Sequence, residues 1–336
     1  MRTQNTGPVE TGDVIRRAVE DAVQAPSIHN TQPWRFGVHG TRISLRADPD
    51  RRLDVADPDG REMLISCGAA LYNLRLSLRA QGFEPVVRTL PDPDRPHLLA
   101  DVHLGRGPGR ADEAAAREYE QLRRRRTHRG GFRPDPVSPA VLTALQQAAE
   151  QQGARLIQAV DPHVKAALAA LTDAAEHVQR RTASYSSELA RWAPTPDTAR
   201  ADGVQQGAYP ARTPHTEPDF PGRDFARGHD WGVRTPADEG TALTGVVLLL
   251  GTRDDTPAAW LNAGQALEHV LLLAAEHGLA AAFHTQELEV PELREFVHGR
   301  FCGGAHPQML LRLGVPGGEE LSTVRRPVDD VLSEEP

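Results

Sequence analysis

An α+β architecture built from two similar halves is what this amino-acid order predicts, and two observations carry it. Segments with apolar residues at helical spacing alternate with short runs of period two, and the order helix, strand, central helix, strand occurs twice. Residues 68–82 also align without a gap on 264–278, where Gly68/Gly264, Ala70/Ala266, Leu71/Leu267, Leu76/Leu272 and Gly82/Gly278 coincide. Two helices rich in Ala and Leu can match by chance, but the helices ahead of them also share a pattern, Val14-Ile15 and Val141-Leu142. A fused pseudo-dimer is the economical reading, with halves at 1–109 and 110–336.

Residues 11–24 read as an amphipathic helix, capped by Thr11 or Asp13, with Val14, Ile15, Ala18, Ala22 and Val23 on one face and Pro26 beyond its end. Residues 34–38 and 43–46 read as a hairpin turning near His39-Gly40, and 48–60 as a loop. A second helix spans 68–80, closed by Gly82. Strands follow at 86–89 and 98–105, then a glycine-rich connector and a highly charged helix over 111–126. In the second half Ser138 caps a helix to 151, residues 155–160 form a strand, and 162–189 are helical. The proline-rich stretch 192–240 has little apolar periodicity, which marks a lid, an arm or a disordered insertion. A strand over 244–250, a buried helix over 260–277, a late strand at 309–313 and a tail from 316 complete the order.

Composition narrows the function. With 39% hydrophobic and 25% charged residues the 336-residue chain is that of a folded soluble protein. The longest apolar run, 270–275, is far too short for a membrane helix. A net charge of −8 argues against a general nucleic-acid binder. Two cysteines and an N-terminus without the pattern of a secretory signal predict a reducing cytoplasm. The fourteen histidines show no metal-ligand spacing, and no Gly-x-Gly-x-x-Gly follows a strand.

Three stretches carry chemistry. Residues 25–36, Ala-Pro-Ser-Ile-His-Asn-Thr-Gln-Pro-Trp-Arg-Phe, set the amides of Asn30 and Gln32 one turn from a Trp. Such a loop reads either as an ordinary helix-to-strand turn or as a reader of a flat heterocycle with mixed donors and acceptors. The run 123–129, Arg-Arg-Arg-Arg-Thr-His-Arg, is either a solvated basic helix end or a phosphate site, since guanidinium forks bind phosphate bidentately. Arg325-Arg326 precedes Pro327 and two aspartates that suit a helix start.

Ser27-x-His29-Asn30-Thr31-Gln32-Pro33-Trp34 resembles the flavin-contacting loop of the nitroreductase superfamily, and its His resembles the Acg branch, whose members look like two fused nitroreductase halves. Arg125-Arg126-Thr127-x-Arg129 is similar to the phosphate motif of that superfamily, here placed after the ring loop instead of before it. The resemblance implies a nitroreductase-like fold with one FMN between the halves. It implies that Ser27, His29, Asn30 and Gln32 hold the ribityl chain and ring edge, and that Arg125, Arg126, Thr127, Arg129 and Arg325 or Arg326 hold the phosphate. Thr285-Gln286 follows the second central helix, where the family has a loop against flavin N5. An oxidoreductase taking hydride from NAD(P)H or a substrate to a small organic acceptor follows, with no catalytic side chain required. The alternative is an FMN store, its lid built from the insertion with Trp192, Tyr209, Phe220, Phe225 and Trp231. Fusion predicts a monomer, further pairing not being forbidden.

Overall fold

The computed structural model describes residues 11–107, 113–195, 198–210, 215–225, 232–233, 242–318 and 321–335; Trp231 lies outside them. The first half contains α1 (Thr11–Ala22), the hairpin β1 (Trp34–His39) and β2 (Arg42–Ala47), α2 (Arg61–Ala80), β3 (Val86–Thr89) and β4 (Leu98–His103). The second contains α3 (Glu113–Tyr119), α4 (Pro139–Gln151), β5 (Ala154–Gln158), α5 (Pro162–Arg181), α6 (Ala183–Arg191), β6 (Val246–Thr252), α7 (Pro257–Glu276), β7 (Ala280–Phe283), α8 (Pro291–Phe301), β8 (His306–Gly314) and β9 (Leu332–Glu334). This is the expected α+β mixture, on two sheets of order β3-β4-β2-β1-β9 and β5-β6-β8-β7.

Periodicity explains how the second sheet is covered. Along β6, Leu248 and Leu250 enter the core against α4 and α7, while Val247 and Leu249 enter another core against α5 and α8. In β8, Met309, Leu311 and Leu313 take the first side and Leu310 the second. The first sheet packs α1 and α2 on one face, through Ile43, Leu45, Val102 and Phe36.

Helices α2 and α7 cross at the two aligned glycines. A Cβ on Gly68 would lie 2.2 Å from the Leu261 carbonyl oxygen, and one on Gly264 would lie 1.9 Å from that of Ile65. The contact is reciprocal: each glycine touches the carbonyl three residues before the other. Leu261 in turn joins the first core and Ile65 the second.

Three elements differ from expectation in their bounds. Helix α2 starts at Arg61 instead of 68, because Gly60 turns the chain at φ +73° and the Asp57 carboxylate accepts the Met63 N–H at 2.8 Å. Residues 61–67 are buried on every side, so no amphipathic stripe marks them. The helix expected over 162–189 is two, broken at Thr182, whose backbone is extended (ψ 110°). The charged helix of 111–126 ends at Tyr119, leaving the arginine run in turns, where like charges are not stacked on one helix. Three elements were not anticipated: β7, α8, and β9, which pairs parallel with β1 at Phe36↔Leu332.

Candidate functional site

A cavity of about 150 Å³ opens between the two helical layers, lined by α2 (Glu62, Ile65, Ser66), α7 (Leu267), the 26–30 loop, the 127–130 turn, β7 and its exit, and the insertion.

The 26–30 wall is a strained loop. His29 (φ 46°), Asn30 (φ 53°) and Gln32 (φ 50°) all adopt left-handed backbone, which costs each on the order of 1 kcal/mol. Several bonds hold it. The Ser27 hydroxyl accepts the Gln32 N–H at 2.9 Å, and the Ser66 hydroxyl accepts that of Ile28 at 3.1 Å. The Asn30 amide donates to Gly203 O (2.9 Å) and Val324 O (3.1 Å) and accepts from Arg325 (3.2 Å). Gln32 donates to Ala201 O at 2.8 Å and accepts the Arg326 N–H at 2.8 Å. The loop is thus tied to the insertion and the C-terminal tail. His29 keeps both ring nitrogens unpartnered at the buried wall, against the edge of Phe225. Burial, then Arg223, drives it well below the ordinary imidazole range, so it is neutral.

One end of the cavity is cationic. Arg129 and Arg325 line it; Arg129 donates to Ala208 O at 2.9 Å and stacks over Tyr209. Behind them Arg125 faces the fully buried Glu268 across 3.6 Å. Burial pushes Arg325 down to about 9, with Arg125, Arg126 and Arg129 adding repulsion against Glu268.

The opposite end is acidic. Glu62 pairs with Arg61 at 2.7 Å and stands 3.5 Å from the Thr285 hydroxyl. Arg223, from the insertion, bonds Glu289, Thr285 (2.7 Å) and Tyr185 (2.6 Å). Burial foremost, then Glu289, raises Glu62 to about 8, and burial raises Glu287, bonded to Thr172 at 3.0 Å, to about 8. Between the two ends Arg312, sandwiched by Phe132 and Phe220, donates to His284 Nε2 at 2.8 Å. His284 therefore carries its proton on Nδ1, towards Pro221 O, and burial keeps it neutral.

Of the residues singled out in the sequence, the structure brings Ser27, His29, Asn30, Thr127, Arg129, Thr285 and Arg325 to the cavity wall. Gln32, Arg125, Arg126, Gln286 and Arg326 stand behind it: Arg126 bonds Arg123 O and Arg125 O, Gln286 bonds Glu176 and Pro221 O, and Arg326 bonds Gln32 O and Asp330 O. Tyr209, Phe220 and Phe225 of the insertion reach the cavity; Trp192 packs away from it with Tyr185 and Leu189. Sequence reasoning missed Glu62, His128, Arg223, His284, Glu289 and Arg312. A signal existed for one pair: Arg61-Glu62 opens a helix otherwise apolar through Ile65, and charges in such surroundings are paired or functional. Among the described residues no group of three or more His, Cys, Asp or Glu is placed to hold a metal, and no helix is long and apolar enough to cross a membrane.

No model of a known protein family matches the chain. Individual relatives do. A Mycobacterium tuberculosis H37Rv protein provisionally named NAD(P)H nitroreductase Rv3131 is 37% identical over 310 residues, 90% of this chain and 85% of the relative. Another from that strain, provisionally named NAD(P)H nitroreductase acg, is 32% identical over 325 residues, 96% of each. The chain belongs to the Acg-like nitroreductase family. Among solved structures, an FMN-bound nitroreductase from Desulfitobacterium hafniense aligns over 65% of this chain and 97% of its own, at 15% identity and a TM-score of 0.40, too slight a likeness to argue from. Each of the three motifs at 27–34, 125–129 and 325–326 contributes at least one residue to the cavity wall.

Proposed function

We propose that this chain is an FMN-dependent oxidoreductase of nitroreductase type, with one flavin site assembled from two fused halves. The observation that carries the reading is the cluster of Arg125, Arg126, Arg129 and Arg325 around one buried carboxylate, Glu268. Cations in such excess over carboxylates call for a bound anion, and a phosphate dianion at Arg129, Arg325 and the Thr127 turn would supply it. Ser27, His29 and Asn30 on one wall and Thr285 on the other would flank the ribityl chain and ring; Gln32, Arg125, Arg126, Gln286 and Arg326 would hold that wall in place. When bound, FMN supplies hydride transfer at N5, with NAD(P)H the donor that the relatives' names suggest and a small organic molecule the acceptor. The protein orients the two, excludes water with Phe220 and Phe225, and keeps His29 and His284 neutral beside the cavity.

The pseudo-dimer is supported by the reciprocal contact of Gly68 and Gly264, the geometry of an isologous interface within one chain. A monomer in solution is the expected state.

A second reading, an FMN store, is favoured by one feature: Tyr209, Phe220, Arg223 and Phe225 of the insertion line the cavity, and Arg223 bonds Thr285 on its wall. An anaerobic titration separates the two. Bleaching of the visible flavin band by NADPH or NADH supports the oxidoreductase. A yellow protein bleached by dithionite alone supports the store, and a protein that takes up no FMN overturns both.

A further inference from the structure

We propose that Glu62 is the proton donor to the acceptor, its carboxyl facing the cavity from a buried cluster that holds more carboxyl groups than cations. The inference rests on the oxidoreductase reading and adds a residue to it.

The cluster is assembled from five segments. Asp57 precedes α2, Glu62 opens it, Glu176 lies in α5, and Glu287 and Glu289 follow β7; each of these carboxyl groups is buried. The cations among them are Arg61 and, from the insertion, Arg223, which is shared between Glu62, Glu176, Glu287 and Glu289. Arg180 at the rim is half-exposed and taken up by Asp224 at 2.9 Å. Five carboxylates cannot all be ionised in a low dielectric beside two guanidinium groups, so the cluster retains protons.

Glu62 is the member of that cluster whose side chain lines the cavity. Asp57 is turned to the Met63 N–H (2.8 Å), Glu287 to Thr172, and Glu176 to the Asp224 N–H (3.0 Å). The groups that face Glu62 are Arg61 on its own helix, Asp57 on the preceding loop, Glu289 and Thr285 from beyond β7, and Arg223 from the insertion. The Thr285 hydroxyl lies within reach of Glu62 (3.5 Å) and Glu289 (3.1 Å) and can donate to one carboxylate at a time. Burial and the two neighbouring acids hold Glu62 up to about 8, so it is protonated at neutral pH.

The chemistry balances with one such proton. An acceptor that takes a hydride from the reduced flavin gains two electrons and one proton. For a nitroarene one N–O bond then breaks, and the departing oxygen leaves as water only with a second proton, giving the nitroso compound. For a quinone the same second proton completes the hydroquinone. Glu62 supplies it from its carboxyl O–H and is reprotonated from solvent afterwards.

The test uses the purified full chain and the variants Glu62→Gln, Glu62→Asp and Glu287→Gln, each checked for native unfolding. Without coenzyme, infrared spectra should show a protonated-carboxyl band titrating near pH 8, which Glu62→Gln and Glu287→Gln each diminish by their own share. In FMN-loaded, dithionite-reduced protein, menadione or nitrofurazone should be reduced about a hundredfold more slowly by Glu62→Gln, with Glu62→Asp partly restored. The wild-type rate should fall above about pH 8 and that of Glu62→Gln should stay flat. An unaltered infrared band, or loaded Glu62→Gln that reduces either acceptor at the wild-type rate, overturns the proposal. Failure of the wild type to load FMN overturns the oxidoreductase reading itself, and the proton donor with it.

Discussion

The two central helices began as similar sequence and ended in different surroundings. Helix α7 starts conventionally: Thr256 caps it by accepting the Ala259 N–H at 3.3 Å, and Pro257 takes its first turn. Helix α2 starts from the left-handed Gly60 with no side-chain cap from that position, and spends its first turn on an ion pair, Arg61–Glu62. Where the helices cross they remain alike, glycine against carbonyl in both directions. At a crossing this close neither helix can change alone, because each partner constrains the other at van der Waals distance. The helix starts differ, and Glu62 at the start of α2 lines the cavity while the start of α7 does not.

The largest expected effect breaks the crossing. Gly264→Val would drive a side chain into the Ile65 carbonyl, and Gly68→Val into that of Leu261; both should abolish soluble folded protein. Gly12→Val, with no atom within 4 Å of its Cβ, should change stability by less than about 0.5 kcal/mol. Circular dichroism and urea unfolding check all three.

Next in size, Arg125→Met leaves Glu268 buried without its cation and should cost roughly 3–5 kcal/mol, whereas Arg125→Met with Glu268→Met should recover most of it. Urea midpoints for the two variants decide this; equal losses would mean that Arg125 acts through other contacts.

A smaller effect separates the acidic end from the cationic one. Glu287 binds its proton more tightly folded than unfolded, its folded value being about 8. Stability from this group is therefore complete below the ordinary carboxylate range and is lost as pH rises towards 8, up to about 1.4 kcal/mol per pH unit per proton. Glu287→Gln should flatten that decline and gain on the wild type at pH 8, as thermal unfolding across the range will show. Smaller again, Thr256→Ala should cost about 1 kcal/mol by removing the α7 cap.

How much of this was legible follows the range of the forces involved. The amphipathic α1, the β1/β2 hairpin and the capped α4 depend on neighbours in sequence, and periodicity found them. The first turns of α2 are buried all round, so they carry no stripe to read. The motifs at 27–32, 125–129 and 325–326 were legible as chemistry, but not which side chains face inward: Asn30 lines the cavity while Gln32, two residues on, is committed to Ala201 and Arg326. Arg223 and the acid cluster were invisible, because Asp57, Glu62, Glu176 and Glu289 become neighbours only after the halves and the insertion have packed.

Strand β9 has a consequence for the order of events on the ribosome. Ser333 bonds to Phe36, 297 residues earlier, and Glu335 then clamps Ser44 and Arg46 of the adjoining strand. The outer edge of the first sheet thus stays open throughout synthesis of the second half. In the nascent chain β1, paired with β2 on one side, keeps its other edge free while everything between is made, and residues 332–334 then cover it.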